Sequence, residues 1–446
     1  MPLRSGTTAR EDRRAIFGWC MYDWANSAYV TTVAVGLLPR YFADVVVAPG
    51  GATFGGVTYA ADTLWAIVVG AATLITFLSA PVLGAVADFS AARKRFLLFF
   101  AFTGSLFTLL LYTCRSGDVL KTMLYFLLAQ VAFVGANVFY DAFLPLIAGP
   151  ERMDWISGKG YSYGYVGGGL QFALALGLVV CHERLGLSLA QAARAGIAMA
   201  GLWWAGFTLI TARTLTESPS TETLPDRLRR WPRAVAYTVI GLSRTLRTTR
   251  RVGRFKHLLL FLVAFMLYDD GIQTVINMAT IYGTVELRLS ATVLMLTLLL
   301  IQVIATFGAL LFGRLAGVVG GKRAIMVTLV LWSGVVIYAY FIRSAAQFFA
   351  LGAVVGLVLG GSQALSRSLY GSMIPEEASA EFYGFYTVFS KFSSMWGPWV
   401  FAIIKQTTGS SRLAILSLVV LFLGGLALLA CVDEEKARDA RRAGAF

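Results

Sequence analysis

Apolar runs long enough to cross a bilayer recur along most of the chain, and they constrain the fold more than any other feature. A helix rises 1.5 Å per residue, so about 20 residues cross the roughly 30 Å of hydrocarbon in a membrane. The composition agrees, because 57% of the residues are hydrophobic and only 14% are charged, which does not fit a soluble domain. We therefore predict an all-α integral membrane protein.

The apolar runs divide into two sets of six. A long polar connection, residues 217–256, separates the two sets. We predict an N-terminal six-helix bundle over 1–216, a basic cytoplasmic linker over 217–256, and a C-terminal six-helix bundle with a short charged tail over 257–446. The twelve predicted transmembrane helices lie near 15–38, 61–88, 95–114, 120–147, 160–182, 194–213, 257–283, 290–317, 323–343, 346–372, 382–405 and 412–432.

The net charge of +14 comes from Lys and Arg in the connections between apolar runs, and most of them lie in alternate connections. The positive-inside rule then places both termini and the linker in the cytoplasm, and we expect a multi-pass protein of the bacterial inner (plasma) membrane. The basic residues form no separate domain, so we expect no nucleic-acid partner.

Within the linker, Val235, Val239, Leu242 and Leu246 recur at helical spacing, and Arg244 and Arg247 fall off that stripe. The pattern predicts an amphipathic helix lying on the anionic lipids of the inner surface. A solvated linker explains it equally well.

Four cysteines and two histidines show none of the spacings typical of metal ligands. We expect no metal site and no cofactor. The predicted spans hold no nucleophile–base pair either, so we do not expect an enzyme.

Three sequence echoes relate the two halves. Tyr22-Asp23 recurs as Tyr268-Asp269, GAVADFSAARKR from Gly84 recurs as GRLAGVVGGKRA from Gly313, and YGY at 163–165 recurs as YGF at 383–385. They occur in the same order in both halves, which indicates two parallel structural repeats.

Strongly polar residues inside the predicted spans concentrate on every third helix. An Asp at a helix centre costs about 2.5–3.5 kcal/mol on insertion scales, so such residues are candidates for ion or substrate chemistry. We predict that helices 1, 4, 7 and 10 share a water-accessible cavity. The residues are Asp23, Asn26, Gln130, Asn137, Asp141, Asp269, Asp270, Gln273, Asn277, Gln363 and Arg367. Hydrogen bonding between helices is the alternative explanation for the amides.

The acids near mid-membrane depth, Asp23, Asp269 and Asp270, are predicted to bind the coupling ion, a proton, with sodium not excluded. Asp141 and Arg367 lie nearer the cytoplasmic ends of their helices and are predicted to act at an inner gate. Either they pair there when the inner side closes, or each caps its own half without meeting the other. Lys391 either pairs with Asp269 or Asp270 or attracts an anionic substrate group. The predicted substrate-binding residues are Tyr22, Asn26, Asn137, Gln273, Asn277, Gln363 and Lys391.

Several motifs resemble known transporter sequences. GAVADFSAARKR is similar to the helix 2–3 loop motif of the major facilitator superfamily, whose Gly, Asp and basic residues fall on Gly84, Asp88, Arg93 and Lys94; it departs from that motif at Phe89 and Ala91. The segments that resemble the Atg22-like (UMF1) branch are YDWANSAY at 22–29, FYDAFLP at 139–145, GYSYGYVGGGL at 160–170, LYDDGIQT at 267–274 and GGSQALSRSLYGSMIP at 360–375.

The resemblance implies the major facilitator fold, transport by alternating access, and amino-acid efflux as in fungal vacuolar relatives. We therefore expect a monomeric, proton-coupled secondary active transporter of a small polar solute, with amino acids as the leading candidate. Asp88, Arg93 and Lys94 are expected to brace the inner gate. The alternatives are a carrier of another metabolite class, or a non-transporting receptor or scaffold whose basic linker binds a partner.

Overall fold

The computed structural model is almost entirely helical and describes residues 9–47, 49–217, 224–252, 255–393 and 396–442. Its contacts divide the chain into two compact units. Unit 1 comprises Met1–Ser79, Ala91–Tyr140 and Tyr163–Pro219, and unit 2 comprises Ala80–Ser90, Asp141–Ser162 and Ser220–Phe446. Unit 2 thus includes two short pieces of the predicted N-terminal half.

Eighteen α-helices account for most of the described residues. They are α1 Ala9–Ala28, α2 Leu38–Tyr41, α3 Ala61–Ser90, α4 Arg93–Leu110, α5 Val119–Ala142, α6 Leu144–Ile147, α7 Met153–Val180, α8 Leu189–Thr214, α9 Arg233–Val252, α10 Lys256–Ile281, α11 Ala291–Val319, α12 Gly321–Phe341, α13 Ala345–Met373, α14 Ser379–Ser393, α15 Trp396–Thr408, α16 Ser411–Ser417, α17 Val419–Ala430 and α18 Glu434–Arg442.

Within the described residues, 11 helical segments are long and apolar enough to cross a membrane. They correspond to all the predicted spans except the one near 382–405. There the structure has α14 and α15, on either side of residues 394–395, which lie outside the described residues.

The first span is longer than predicted. Beyond α1 the chain continues as π-helical turns over Tyr29–Leu37 and Phe42–Val47, so the span ends at Val47 rather than near residue 38. Pro39 sits at the start of α2, between the two π-helical segments. π-Helical turns often occur at functional positions in helices.

The connection after the first span contains a small β-hairpin that the all-helical prediction omitted. Strands β1 Ala52–Phe54 and β2 Val57–Tyr59 pair in antiparallel register. Gly55 and Gly56 join them with φ of 58° and 83°, a two-residue turn that glycine adopts without strain.

In unit 1, α8 packs against both α1 and α4. Trp204 is fully buried, and its indole ring fills the space that a side chain at Gly104 would need. Glu217, just past α8, accepts hydrogen bonds from the backbone N–H groups of Arg93 (2.8 Å) and Lys94 (2.9 Å). The carboxylate therefore caps the N-terminus of α4, where the helix dipole favours a negative charge.

In unit 2, α11 and α13 form the most extensive helix pair. A Cβ at Gly308 would meet the backbone of Leu357, and one at Gly360 would meet the backbone of Ala305. Small residues at these positions let the two helices approach closely, as is common in membranes.

The same capping arrangement recurs at the start of α12. The carboxyl of Glu434, in α18, accepts a hydrogen bond from the backbone N–H of Lys322. The Lys322 ammonium in turn donates to the carbonyls of Ala430 and Val432, at 2.7 and 2.6 Å. An acid that follows the sixth helix of each predicted half thus caps the third helix of that half.

The linker contains α9, which has two different faces. Ala236 and Ile240 are buried against Phe89 and Leu228 in unit 2. The predicted stripe lies on the other side, where Val235, Val239, Leu242 and Leu246 are 44%, 39%, 50% and 52% exposed.

Candidate functional site

Polar side chains join α1 to α5 in unit 1. Asn26 Nδ2 donates to Asn137 Oδ1 at 2.6 Å, and one turn further along Tyr29 Oη donates to Gln130 Oε1 at 3.0 Å. Thr32 also hydrogen-bonds to Gln171. The structure thus brings the predicted substrate residues Asn26 and Asn137 together.

Asp23 lies at one end of this polar group, in an aromatic environment. It is 7% exposed, and Tyr140 Oη donates to its Oδ2 at 2.7 Å. The Tyr140 ring stacks on Trp19, 4.6 Å between centroids, and lies 5.1 Å from the ring of Tyr22, which is fully buried.

In unit 2, Asp269 of α10 faces α14. Its Oδ2 accepts hydrogen bonds from Ser390 Oγ (2.8 Å) and Ser393 Oγ (3.3 Å), and its Oδ1 accepts one from Gln273 at 3.4 Å. Lys391 attracts Asp269 electrostatically. Of the two alternatives for Lys391, this placement favours Asp269 as its electrostatic partner.

Asp270 points in another direction, toward α15. It is 2% exposed, and its carboxyl accepts a hydrogen bond from the backbone N–H of Gly397. Adjacent residues of a helix diverge by about 100°, so the two neighbouring acids have separate partners.

The remaining predicted substrate residues of this unit lie on α10 and α13. Gln273 and Gln363 are partly buried and Asn277 is exposed. Tyr268 Oη and Ser366 Oγ are 2.7 Å apart and hydrogen-bonded, which ties α10 to α13.

Arg367 is the centre of the predicted gate, and it is 2% exposed. Its Nη1 lies 3.1 Å from Asp141 Oδ1, so the two residues are paired, which is one of the two alternatives that the sequence left open. Its Nε donates to Ser157 Oγ and its Nη2 to Ser157 O, both at 3.0 Å, and its guanidinium carbon lies 4.1 Å from the centroid of the Tyr161 ring. A buried guanidinium needs this many partners, because burying a charge without them is very costly.

Asp88, also predicted to act at the gate, caps α14. Its carboxylate accepts hydrogen bonds from the backbone N–H groups of Ala380 (3.2 Å) and Glu381 (2.8 Å). The space beside it is tight, because a Cβ at Gly84 would meet the backbone of Ala380. Its role in this structure is therefore to fix the N-terminus of α14.

Glu381 lies beside Asp88 and just outside the predicted membrane span. It is 3% exposed, and burial raises the pKa of its carboxyl to about 7. Thr248 donates a hydrogen bond to it, and Asp88, Arg244 and Arg247 act on it electrostatically. Its Oε1 has no hydrogen-bond partner among the described residues.

Sequence reasoning identified Asp88, Arg93 and Lys94 by resemblance but did not identify the residues that hold them. The backbone N–H groups of Arg93 and Lys94 bind Glu217. Ser157 and Glu381 were missed too. A serine beside Lys159 and an acid at a helix start carry no distinctive sequence signal.

Comparison with known proteins assigns the family. The family model described as "Vacuole effluxer Atg22 like" matches residues 11–442. The chain belongs to the Atg22-like family. Over 425 residues, this chain is 32% identical to the uncharacterised MFS-type transporter YxiO of Bacillus subtilis. The match covers 94% of this chain and 95% of YxiO.

A fungal relative is similar over a shorter region. Autophagy-related protein 22-1 of Neosartorya fischeri is 30% identical over 305 residues, 64% of this Atg22-like chain and 49% of that protein. The match thus spans about half the length of the fungal relative.

Solved structures share the fold of this Atg22-like chain. The human organic anion transporter MFSD10 (TETRAN) superimposes with a TM-score of 0.70 at 16% identity, covering 94% of this chain and 99% of MFSD10. The transporter FucP, in the outward conformation, superimposes with a TM-score of 0.68 at 11% identity. The match covers 94% of this chain and 98% of FucP. The predicted major facilitator fold and family are therefore confirmed.

Asp141→Asn should lower the free energy of unfolding by about 3–5 kcal/mol, because it leaves the buried Arg367 guanidinium without its counter-charge. Thermal or denaturant unfolding in detergent measures the change. Asp226→Asn is the control, since Asp226 pairs with Arg229 on the surface and is 92% exposed. Equal stability of the two variants would contradict the assignment of Arg367 as a buried ion-paired residue.

The raised pKa of Glu381 predicts a pH dependence of stability. Between its unfolded value near 4.5 and its folded value of about 7, the folded chain holds a proton that the unfolded chain releases. The free energy of unfolding therefore falls as the pH rises through this window, by at most about 1.4 kcal/mol per pH unit. Glu381→Gln should remove this slope and make the protein more stable than wild type at pH values above 7.

Unfolding midpoints of wild type and Glu381→Gln, measured across this pH window, test whether Glu381 causes the slope. Glu435→Gln is the control, because Glu435 is exposed. A wild-type slope that survives in Glu381→Gln would assign the titration to another group.

Proposed function

We propose that this protein is a secondary active transporter that moves a small polar solute across the bacterial inner membrane by alternating access, driven by protons. The observation that carries this proposal is the burial of carboxyl groups within the spans of both units. Asp23, Asp269 and Asp270 are 7%, 5% and 2% exposed. Intramembrane acids are costly and mark ion or substrate pathways by default.

Asp23 and Asp270 are the proposed coupling residues, with Asp269 in support. A carboxyl group that alternates between a dry and a wet environment takes up and releases a proton, because desolvation disfavours its charged form. Asp269 is held by two serines and Gln273 and is attracted by Lys391.

The proposed substrate is an amino acid. A zwitterion requires acceptors for its ammonium group and donors for its carboxylate, and the spans supply acids, amides and the cation Lys391. The proposed substrate contacts are Tyr22, Asn26, Asn137, Gln273, Asn277, Gln363 and Lys391. Relatives named as autophagy-related protein 22, in a family described as a vacuole effluxer, are compatible with this class of solute.

The proposed inner gate consists of Asp141 and Arg367, with Asp88, Arg93 and Lys94 fixing the helix ends around it. Arg367 holds the segment 141–162, which carries Asp141 and Ser157, against α13. Opening this end requires that Arg367 lose these contacts, so their strength sets the balance between two conformations.

The direct test is uptake of a radiolabelled amino-acid panel into proteoliposomes under an imposed pH gradient. We expect gradient-dependent uptake in wild type and its loss in Asp270→Asn, because an amide does not titrate in this range. Asp44→Asn is the matched control, since Asp44 forms an exposed ion pair with Arg40. Uptake driven by a sodium gradient and not by a pH gradient would show that the coupling ion is sodium, which would contradict proton coupling.

If folded wild-type protein takes up none of the amino acids in the panel, the proposal of an amino-acid substrate is contradicted. Full uptake by both Asp23→Asn and Asp270→Asn would contradict the coupling residues.

We propose further that both termini lie in the cytoplasm and that α9 rests on anionic lipid. Its exposed apolar stripe is accompanied by Arg244 and Arg247, a combination that suits the negatively charged inner leaflet. A peptide of residues 225–252 should bind phosphatidylserine vesicles and dissociate as the ionic strength rises. Leu242→Gln with Leu246→Gln should weaken binding at every salt concentration. Failure of the unmodified peptide to bind at low salt would favour a solvated linker.

A further inference from the structure

The carboxyl group of Glu381 lies where the linker helix α9 meets the first turn of α14. Glu381 is 3% exposed, and its backbone N–H donates to Asp88 Oδ2 at 2.8 Å. Thr248 of α9 donates a hydrogen bond to its carboxyl group. One buried residue of α14 thus contacts both α3, which carries Asp88, and α9, all within unit 2.

Two contacts of different kinds hold α9 in place. Near its start, Ala236 and Ile240 are buried against Phe89, and this contact is apolar. About two turns after Ile240, Thr248 makes the hydrogen bond to Glu381. A change of pH leaves the apolar contact as it is, but it alters the charge of Glu381. The two halves of α9 therefore differ in their response to pH.

The surroundings of the Glu381 carboxyl group favour its neutral form. Its Oε1 is buried and has no hydrogen-bond partner among the described residues. A buried oxygen without a partner costs more free energy when its group is charged. Burial is the largest of the effects that raise the pKa of Glu381 from its usual value of 4.5 to about 7.

Charged and titratable groups on three neighbouring helices interact with Glu381. α3 contributes Asp88, whose charge raises the pKa of Glu381 further. α9 contributes Arg244 and Arg247, whose charges lower it. α13 contributes Tyr370, which is fully buried and interacts with the Glu381 charge. The two arginines offset part of the effect of burial but do not reverse it.

We propose that Glu381 is a proton-binding site separate from the proposed coupling residues, and that its proton keeps the C-terminal half of α9 docked on α14. The proposed topology places this site in the cytoplasm, so its ligand is a cytosolic proton. When the proton leaves, a negative charge remains buried beside Asp88. Moving Thr248 and its turn of α9 away from α14 lets water reach the carboxylate, which removes the cost of burying a charge.

The sign of the pH dependence follows from the two states of α9. The pKa of Glu381 is about 7 when α9 is docked and returns toward 4.5 when water hydrates the carboxyl group. Between these values the docked state holds a proton that the released state lacks. The ratio of docked to released α9 therefore falls by up to about tenfold per pH unit in this window and levels off above pH 7.

The test compares wild type with Glu381→Gln by amide hydrogen–deuterium exchange, read by mass spectrometry on the full-length protein in lipid nanodiscs. Exchange reports local opening even when the released state is a small fraction. Glu381→Gln keeps a neutral acceptor for Thr248 and has no proton to lose, so α9 should stay docked at every pH. Dividing the wild-type rate by the variant rate at the same pH cancels the intrinsic pH dependence of exchange.

For residues 244–250 we expect this ratio of exchange rates to rise by up to about thirtyfold between pH 5.5 and pH 8, with most of the rise below pH 7. For residues 233–241, which the apolar contact holds, we expect no change of the ratio with pH.

A second pair of variants tests the contact itself. Thr248→Val removes the hydrogen bond between α9 and Glu381, so it should speed exchange of residues 244–250 at every pH. Thr249→Val is the matched control, because the exposed Thr249 hydroxyl donates to the Thr245 carbonyl of its own helix at 2.7 Å. Both substitutions place the same β-branched residue in the same turn, so their effects on helix propensity are alike.

A ratio for residues 244–250 that does not change with pH would overturn the proposal. A ratio that falls as the pH rises would overturn it too, because it would mean that Arg244 and Arg247 hold the charged carboxylate in place. An equal rise over residues 233–241 would show that the whole helix opens, which contradicts local release. Equal exchange in Thr248→Val and Thr249→Val would contradict the docking contact. No measurement here uses a transported solute, so these outcomes are independent of the proposed transport function.

Discussion

The buried charge of Arg367 is the constraint on which the organisation of unit 2 depends. A guanidinium at this depth is stable only when its donors are used, and the structure supplies Asp141, both the hydroxyl and the carbonyl of Ser157, and the ring of Tyr161. All three of these residues come from segment 141–162, whereas Arg367 belongs to α13. One side chain therefore ties a piece of the predicted N-terminal half to a helix of the C-terminal half.

Acids at helix ends stabilise helices in both units. Asp88 caps α14, Glu217 caps α4 and Glu434 caps α12, each by accepting backbone N–H groups that a helix leaves without partners. Glu217 and Glu434 follow the sixth helix of their halves and cap the third, as expected for parallel repeats. The repeated Tyr-Asp pairs have diverged more. Asp23 accepts a tyrosine hydroxyl, whereas Asp269 accepts two serine hydroxyls. The repeat thus preserves helix-end contacts, whereas the two aspartates have different hydrogen-bond donors.

The fold was predictable because the apolar runs have the length that a membrane-spanning helix requires, and because they fall into two sets of six. The sequence also placed Asp141 and Arg367 near the same ends of their helices, but it left open whether they pair, which the structure shows that they do. Directions of side chains were not predictable. Asp269 and Asp270 are adjacent, yet one faces the serines of α14 and the other faces Gly397 of α15. The hairpin at Ala52–Tyr59 and the π-helical end of the first span were missed, because short glycine turns and widened helical turns leave little trace in a hydropathy pattern.

The most direct test of the account is whether Arg367 holds segment 141–162 to the second half and releases it in another state. Spin labels at Glu151 and Glu377, both exposed, report this distance by pulsed electron paramagnetic resonance, with Cys431→Ser to remove an exposed native thiol. The account predicts a dominant short distance in wild type and a shift of population to a longer distance in Arg367→Ala. The same single distribution in both proteins, with the variant folded, would contradict it.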